Sequence, residues 1–151
     1  MRYSFRMRVL GIDLGARRIG LAISDPTATL ARPLRVLERR ASDEAAVDAL
    51  LDEIDRLSHD DPIGSIVIGL PMKLDGRPTE HTPRVRIIAD ALARRMTIPI
   101  VFQDERLSSH EADQRLATQE RDWRKRKAKL DAAAAAVILQ DYLDGLNRVI
   151  E

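Results

Sequence analysis

Apolar and polar positions follow different rhythms along this chain, and each rhythm predicts a kind of element. Arg8 to Leu14 reads as a buried strand, Ile19 to Ser24 as a second and Leu34 to Glu38 as a third. Gly15-Ala16-Arg17-Arg18 and Asp25-Pro26-Thr27 between them are turn-like, which predicts a β-meander. Ser42 is placed to cap a helix running to about Leu57, with Val47, Leu50, Leu51, Ile54 and Leu57 on one face. Behind Pro62, Ile63 to Leu70 has the continuous apolar character of a buried parallel strand. A second helix carries Val85, Ile88, Leu92 and Met96 in phase, and Pro99 to Phe102 forms a fifth strand. Ser108-Ser109-His110-Glu111 is a capping box that opens a third helix. A basic stretch, 121–129, separates it from a final helix, Leu130 to about Leu146.

The order β-β-β-α-β-α-β-α-α predicts an α/β fold. Three antiparallel strands and then two parallel ones form a five-stranded mixed sheet with helices on both faces. Residues 1–7 are expected as an N-terminal tail, with Met7 as an alternative start, and 8–151 as a single domain. A length of 151 residues suits one core, and 44% apolar with 32% charged residues is an ordinary globular balance. The absence of cysteine excludes disulfide frameworks, thiolate metal sites and cysteine nucleophiles. No apolar run approaches the ~20 residues that span a bilayer, and no apolar segment follows the basic opening as in a secretory signal. A cytoplasmic protein with no membrane partner is the expectation. The net charge of +1 does not by itself announce a nucleic-acid binder, so local clustering must carry that argument.

The chemistry lies in four acids, Asp13, Asp104, Glu105 and Asp131, each placed where a strand ends or a helix begins. Strand ends at a shared sheet edge are where sites form in such folds. Clustered carboxylates are costly to desolvate and repel one another, and divalent cations are the usual remedy. Oxygen donors without cysteine suit Mg²⁺ or Mn²⁺, and two such ions about 3.5–4 Å apart can drive phosphodiester hydrolysis. The plain alternatives are a turn carboxylate for Asp13 and a helix-dipole partner for Asp131. Adjacent strand residues face opposite sides, so Glu105 is preferred over Asp104 as a ligand, with Asp104 a structural partner of Arg106. The alanines Ala132 to Ala136 permit close helix–sheet approach, bringing Asp131 toward the first strand.

Arg121, Trp123, Arg124, Lys125, Arg126, Lys127 and Lys129 combine positive charge with one stacking aromatic, which fits contact with a nucleic-acid backbone. A solvated charged loop is the alternative. Arg17 and Arg18 form a smaller basic cluster beside Asp13. His59, His81 and His110 are scattered without metal-ligand spacing, and neither a P-loop nor a GxGxxG motif is present.

Gly11-Ile12-Asp13-Leu14-Gly15, Arg18-Ile19-Gly20-Leu21-Ala22, Ile68-Gly69-Leu70-Pro71, Asp75-Gly76, Asp104-Glu105-Arg106-Leu107-Ser108-Ser109 and Asp131-Ala132-Ala133 with Ile138-Leu139-Gln140 together resemble the YqgF (RuvX) family. The motifs run in order from about Arg8 to Leu146, and Ser109 stands where threonine is common. The resemblance implies an RNase H-like fold and acidic metal ligands at Asp13, at Glu105 or Asp104, and at Asp131. It also implies a metal-dependent endonuclease that matures the 5′ end of precursor 16S ribosomal RNA. In that role Asp13 would bridge the metals and the basic residues would engage phosphates. A Holliday-junction resolvase acting on branched DNA is the alternative, and it would require a homodimer where the RNA nuclease could be a monomer. A non-catalytic nucleic-acid-binding or transcription-associated module is the third reading.

Overall fold

Strand β1 (Arg8–Leu14) is the centre of the sheet in the computed structural model, which describes residues 7–39, 42–105 and 123–150, the last segment by backbone alone at 123–130 and 149–150. On one side β1 pairs antiparallel with β2 (Arg18–Ser24), which pairs antiparallel with β3 (Ala31–Glu38). On the other it runs parallel to β4 (Ile63–Leu70), and β4 runs parallel to β5 (Ile100–Asp104), giving the order β3-β2-β1-β4-β5. The crossovers are α1 (Asp43–Asp60) and α2 (Thr82–Ala93), and α3 (Trp123–Ile150) covers the opposite face. This is the expected mixed sheet with helices on both sides. Among the described residues no helix is long and apolar enough to cross a membrane.

The two faces of the sheet are built from different side chains. Leu10 and Ile12 of β1, Ile19, Leu21 and Ile23 of β2, and Ile66 and Ile68 of β4 pack against Val47, Leu50 and Ile54 of α1 and Val85, Ile88 and Leu92 of α2. Each such fully buried chain is worth about 1.5–3 kcal/mol. The alternate residues toward α3 are small: Gly11 on β1, Gly20 and Ala22 on β2, Gly69 on β4. A Cβ on Gly20 would collide with the Asp131 carbonyl, and one on Gly11 would stand 2.8 Å from Cβ of Leu139. The Gln140 side chain pins the helix further, accepting from the Ala31 amide and donating to the Thr29 carbonyl, each at 2.9 Å.

Several boundaries differ from the sequence expectation by a few residues, among them the ends of α1, β5 and α3. Strand β3 starts at Ala31 and contains Pro33, which an edge strand tolerates because one side of it has no partner to lose. Helix α2 stops at Ala93, short of Met96, although Met96 still packs on the core. The basic stretch is no separate connection after Trp123. Helix α3 begins there, since lysine, arginine and alanine are good helix formers and neither proline nor glycine interrupts them. Asp131 is therefore the ninth residue of the helix, and a first-turn dipole role for it is excluded. The capping box Ser108–Glu111, with the helix expected to follow it, lies outside the described residues.

The glycine contact makes a signed prediction. Gly20→Ala should destabilise the protein by about 1–3 kcal/mol, because backbone atoms of α3 occupy the space a Cβ would need. Gly145→Ala, on the same helix with only the end of Arg148 nearby at 3.8 Å, should stabilise it by about 0.5–1 kcal/mol. Urea unfolding of both variants checks the pair of signs.

Candidate active site

The alternation that puts Gly11 under α3 puts Asp13 on the same face at the end of β1, opposite Gly20 in the β1–β2 register. Across β4, the register Ile68↔Phe102 and Leu70↔Asp104 places Asp104 on the α1/α2 face. Glu105 continues the ladder by one residue, its amide donating to the Leu70 carbonyl at 3.3 Å, and so returns to the α3 face. Gly69 makes room for it there: a Cβ on Gly69 would stand 2.8 Å from Glu105 Oε2. The glycine that widens this face is thus what admits the acid.

Glu105 and Asp13 meet side chain to side chain within hydrogen-bonding reach. Burial, followed by the Asp13 charge, pushes Glu105 up to about 9. Burial also lifts Asp13 to about 6, with the Asp131 charge adding to it and the hydrogen bond from Glu105 opposing it. Near neutral pH the pair therefore retains a proton, with protonated Glu105 donating to Asp13. Glu105 Oε2 is buried and has no hydrogen-bond partner. The contrast with Glu53 is informative. That carboxylate is 6% exposed and bonds to both Arg35 and Arg56, whereas Glu105 faces another carboxyl.

Asp131 stands beside this pair. Its Oδ2 accepts from Arg18 Nε at 2.5 Å, and both side chains are a little over a quarter exposed. Among the described residues no three acids or histidines close around a single point as a metal cluster. Asp13 and Glu105 meet, while Asp131 is held one ion pair away. Asp104 acts on Glu105 only through its charge, from the other face. Arg17 is exposed and its carbonyl accepts from the Arg39 amide at 2.8 Å. Trp123 to Lys129 form the opening turns of α3 by their backbone, and Arg121 lies outside the described residues. His59 bonds to the Asp55 carbonyl, and His81 lies by Glu80. His110 is outside the described residues.

Arg39 was not among the sequence candidates. Its side chain is 5% exposed, bonds to Asp43 and donates to the Gly15 carbonyl at 3.3 Å, bracing the turn that follows Asp13. The Arg39-Arg40 pair after an edge strand gives no periodic signal, so only the structure reveals this role. The donor set fits a hard divalent cation: carboxyl oxygens brought together, one of them, Glu105 Oε2, buried without a hydrogen-bond partner.

The family model for RuvX, described as Holliday junction resolvase, matches residues 7–145. A protein of Maridesulfovibrio salexigens named "Putative pre-16S rRNA nuclease" is 44% identical over 137 residues, covering 91% of this chain and 98% of the relative. One of the same name from Anaeromyxobacter sp. strain Fw109-5 is 43% identical over 141 residues, covering 92% and 98%. In fold, the chain resembles the fowlpox virus resolvase solved with Holliday junction DNA, with a TM-score of 0.56 and 12% identity over 93% of this chain and 99% of that one. It also resembles Thermus thermophilus RuvC, with a TM-score of 0.55 and 17% identity over 93% and 97%.

A carboxyl whose folded pKa lies above its unfolded value of about 4 stabilises the fold below that value. This contribution is lost as pH rises through about 6 for Asp13 and about 9 for Glu105. In EDTA the pair should therefore make the protein less stable at about pH 9 than at about pH 5. Glu105→Gln keeps a donor toward Asp13 and removes a charge. It should raise the melting temperature at the higher pH by about 2–6 °C and flatten the pH dependence. Excess Mn²⁺ should raise the wild-type value and leave the variant nearly unmoved. Scanning calorimetry measures all three.

Proposed function

This chain belongs to the RuvX family and is a nuclease, and on that footing we propose that it matures the 5′ end of precursor 16S ribosomal RNA by metal-dependent phosphodiester hydrolysis. The observation that carries the reading is the half-buried Asp13–Glu105 pair, whose Glu105 Oε2 is itself buried without a hydrogen-bond partner, a costly arrangement that a cation would relieve. Asp13, Glu105 and Asp131 would hold Mg²⁺ or Mn²⁺, with Asp13 shared between ions. Bound divalent cations would activate water and stabilise the leaving oxygen. Asp104, on the far face, would tune Glu105 electrostatically and is not assigned as a ligand.

The chain's own groups divide the remaining work. Both carboxyls are raised above the usual carboxylate range, and a cation held by them would favour the ionised forms, so cation binding should strengthen as pH rises. Arg17 and the basic opening turns of α3, with Trp123, would take RNA phosphates and an unstacked base. The relatives' shared name supports RNA as the substrate, and the cytoplasm is where such a precursor is met in bacteria. Branched DNA is the second reading, supported by the family's own description. A symmetric resolvase would act as a homodimer, whereas a monomer suffices for one cut in RNA. A purely binding module gains nothing from buried carboxyls that repel phosphate.

Purified wild type and Asp13→Asn are to be incubated with a 5′-extended 16S precursor and with a four-way DNA junction, in Mg²⁺, Mn²⁺ or EDTA. Wild type should cut the RNA only with metal. Asp13→Asn should lose at least ~100-fold in rate, more than the loss of a mere supporting partner, while still binding RNA. Preferential, paired cutting of the junction would reassign the substrate. Retained cleavage by Asp13→Asn would remove that residue from the mechanism.

A further inference from the structure

At the C-terminal end of β1 the Asp13–Glu105 pair has the Arg18–Asp131 ion pair beside it. Arg18 opens β2, opposite Glu38 in register, and its Nε donates to Asp131 Oδ2 at 2.5 Å. Asp131 in turn acts on Asp13 by its charge. Asp131 thus faces two ways, toward a cationic side chain and toward the acid pair.

We propose that Arg18 is a displaceable counter-ion, a positioning residue that holds the Asp131 carboxylate until a divalent cation arrives and then transfers to a phosphate of the substrate. The assignment rests on the reading of Asp131 as a ligand of that cation. A planar guanidinium binds carboxylate and phosphate with the same edge, so the exchange needs no new chemistry. The pair is also built to be released. Arg18 and Asp131 are part-buried, 28% and 27% exposed, so water reaches the pair and screens it more than it would a fully enclosed one. Arg39, by comparison, is 5% exposed and held by both Asp43 and the Gly15 carbonyl, as a permanent bond should be.

The arrangement has a thermodynamic consequence. While Arg18 sits on Asp131 its positive charge opposes a cation entering the same carboxylate. A substrate phosphate that draws Arg18 away removes the opposition, so cation and substrate each tighten the binding of the other. The free protein would hold its metal weakly and acquire it firmly only with nucleic acid in place.

The test is calorimetric titration of the full chain with Mn²⁺ alone. Wild type is compared with Arg18→Gln, Arg18→Met and Arg18→Lys, each first shown to melt as a folded protein. The neutral variants should bind Mn²⁺ about 3–10-fold more tightly than wild type. Arg18→Lys, which keeps the charge, should stay within about twofold of it. Equal or weaker binding by the neutral variants would overturn the assignment, because a residue that merely braced Asp131 would weaken metal binding when removed. Loss of folding in both neutral variants would make Arg18 structural and overturn it too. Wild type that binds no Mn²⁺ at all would remove the metal reading itself, and this assignment with it.

Discussion

The contact on which the rest depends is the close approach of α3 to the sheet at its glycines, backbone against backbone at Gly20, beside a layer in which Val9 and Val67 pack with Ile138, Leu139 and Leu143. Gly11, Gly20 and Gly69, on three neighbouring strands, leave the space that the helix and Glu105 fill. Because the Asp131 carbonyl is the atom a Gly20 Cβ would strike, and Gly20 is the register partner of Asp13, the two acids are located by main chain. Side chains that lock geometry have rotamers to lose, whereas peptide groups in van der Waals contact do not. The large aliphatic chains on the other face supply cohesion, and the small-residue face supplies position.

That division lets the fold carry an electrostatic liability. Glu53 shows how this protein treats an ordinary buried acid, with two arginines on it. Asp13 and Glu105 are treated oppositely: each is half-buried against the other acid, and the Asp131 charge adds to the burden on Asp13. Groups held this way against their own solvation occur where a ligand or reaction makes use of them. Both faces of the sheet bury apolar side chains, and only the α3 face also carries the acid pair.

Much of this was readable in the chain. The strands β1, β2 and β4 announce themselves as apolar runs, and period-two alternation alone favoured Glu105 over Asp104, the choice the β4–β5 register supports by placing them on opposite faces. The alanine run correctly indicated close approach. What escaped has a common cause. Helix α3 from Trp123 to Lys129 is covered in charge, so the apolar rhythm that marks a helix is absent there although the residues favour one. Pro33 obscured the start of β3 because sequence does not say which strand lies at an edge. The Arg18–Asp131 ion pair was not legible, because a sequence shows a charge and not its partner, and Asp131 is more than a hundred residues away.

The uninterrupted run of α3 makes the helix a ruler. Trp123 precedes Asp131 by eight residues along one rod, and at about 1.5 Å per residue the start of the helix stands about 12 Å from the acid. A nucleic-acid strand gripped at the basic end would be cut at a set number of nucleotides from the grip, with the offset written in helical rise. Adding or deleting one residue between them would do more than change the length, for it would swing the whole basic end about 100° around the axis. If that basic end grips the substrate, only changes of close to a whole turn would keep it facing the same way.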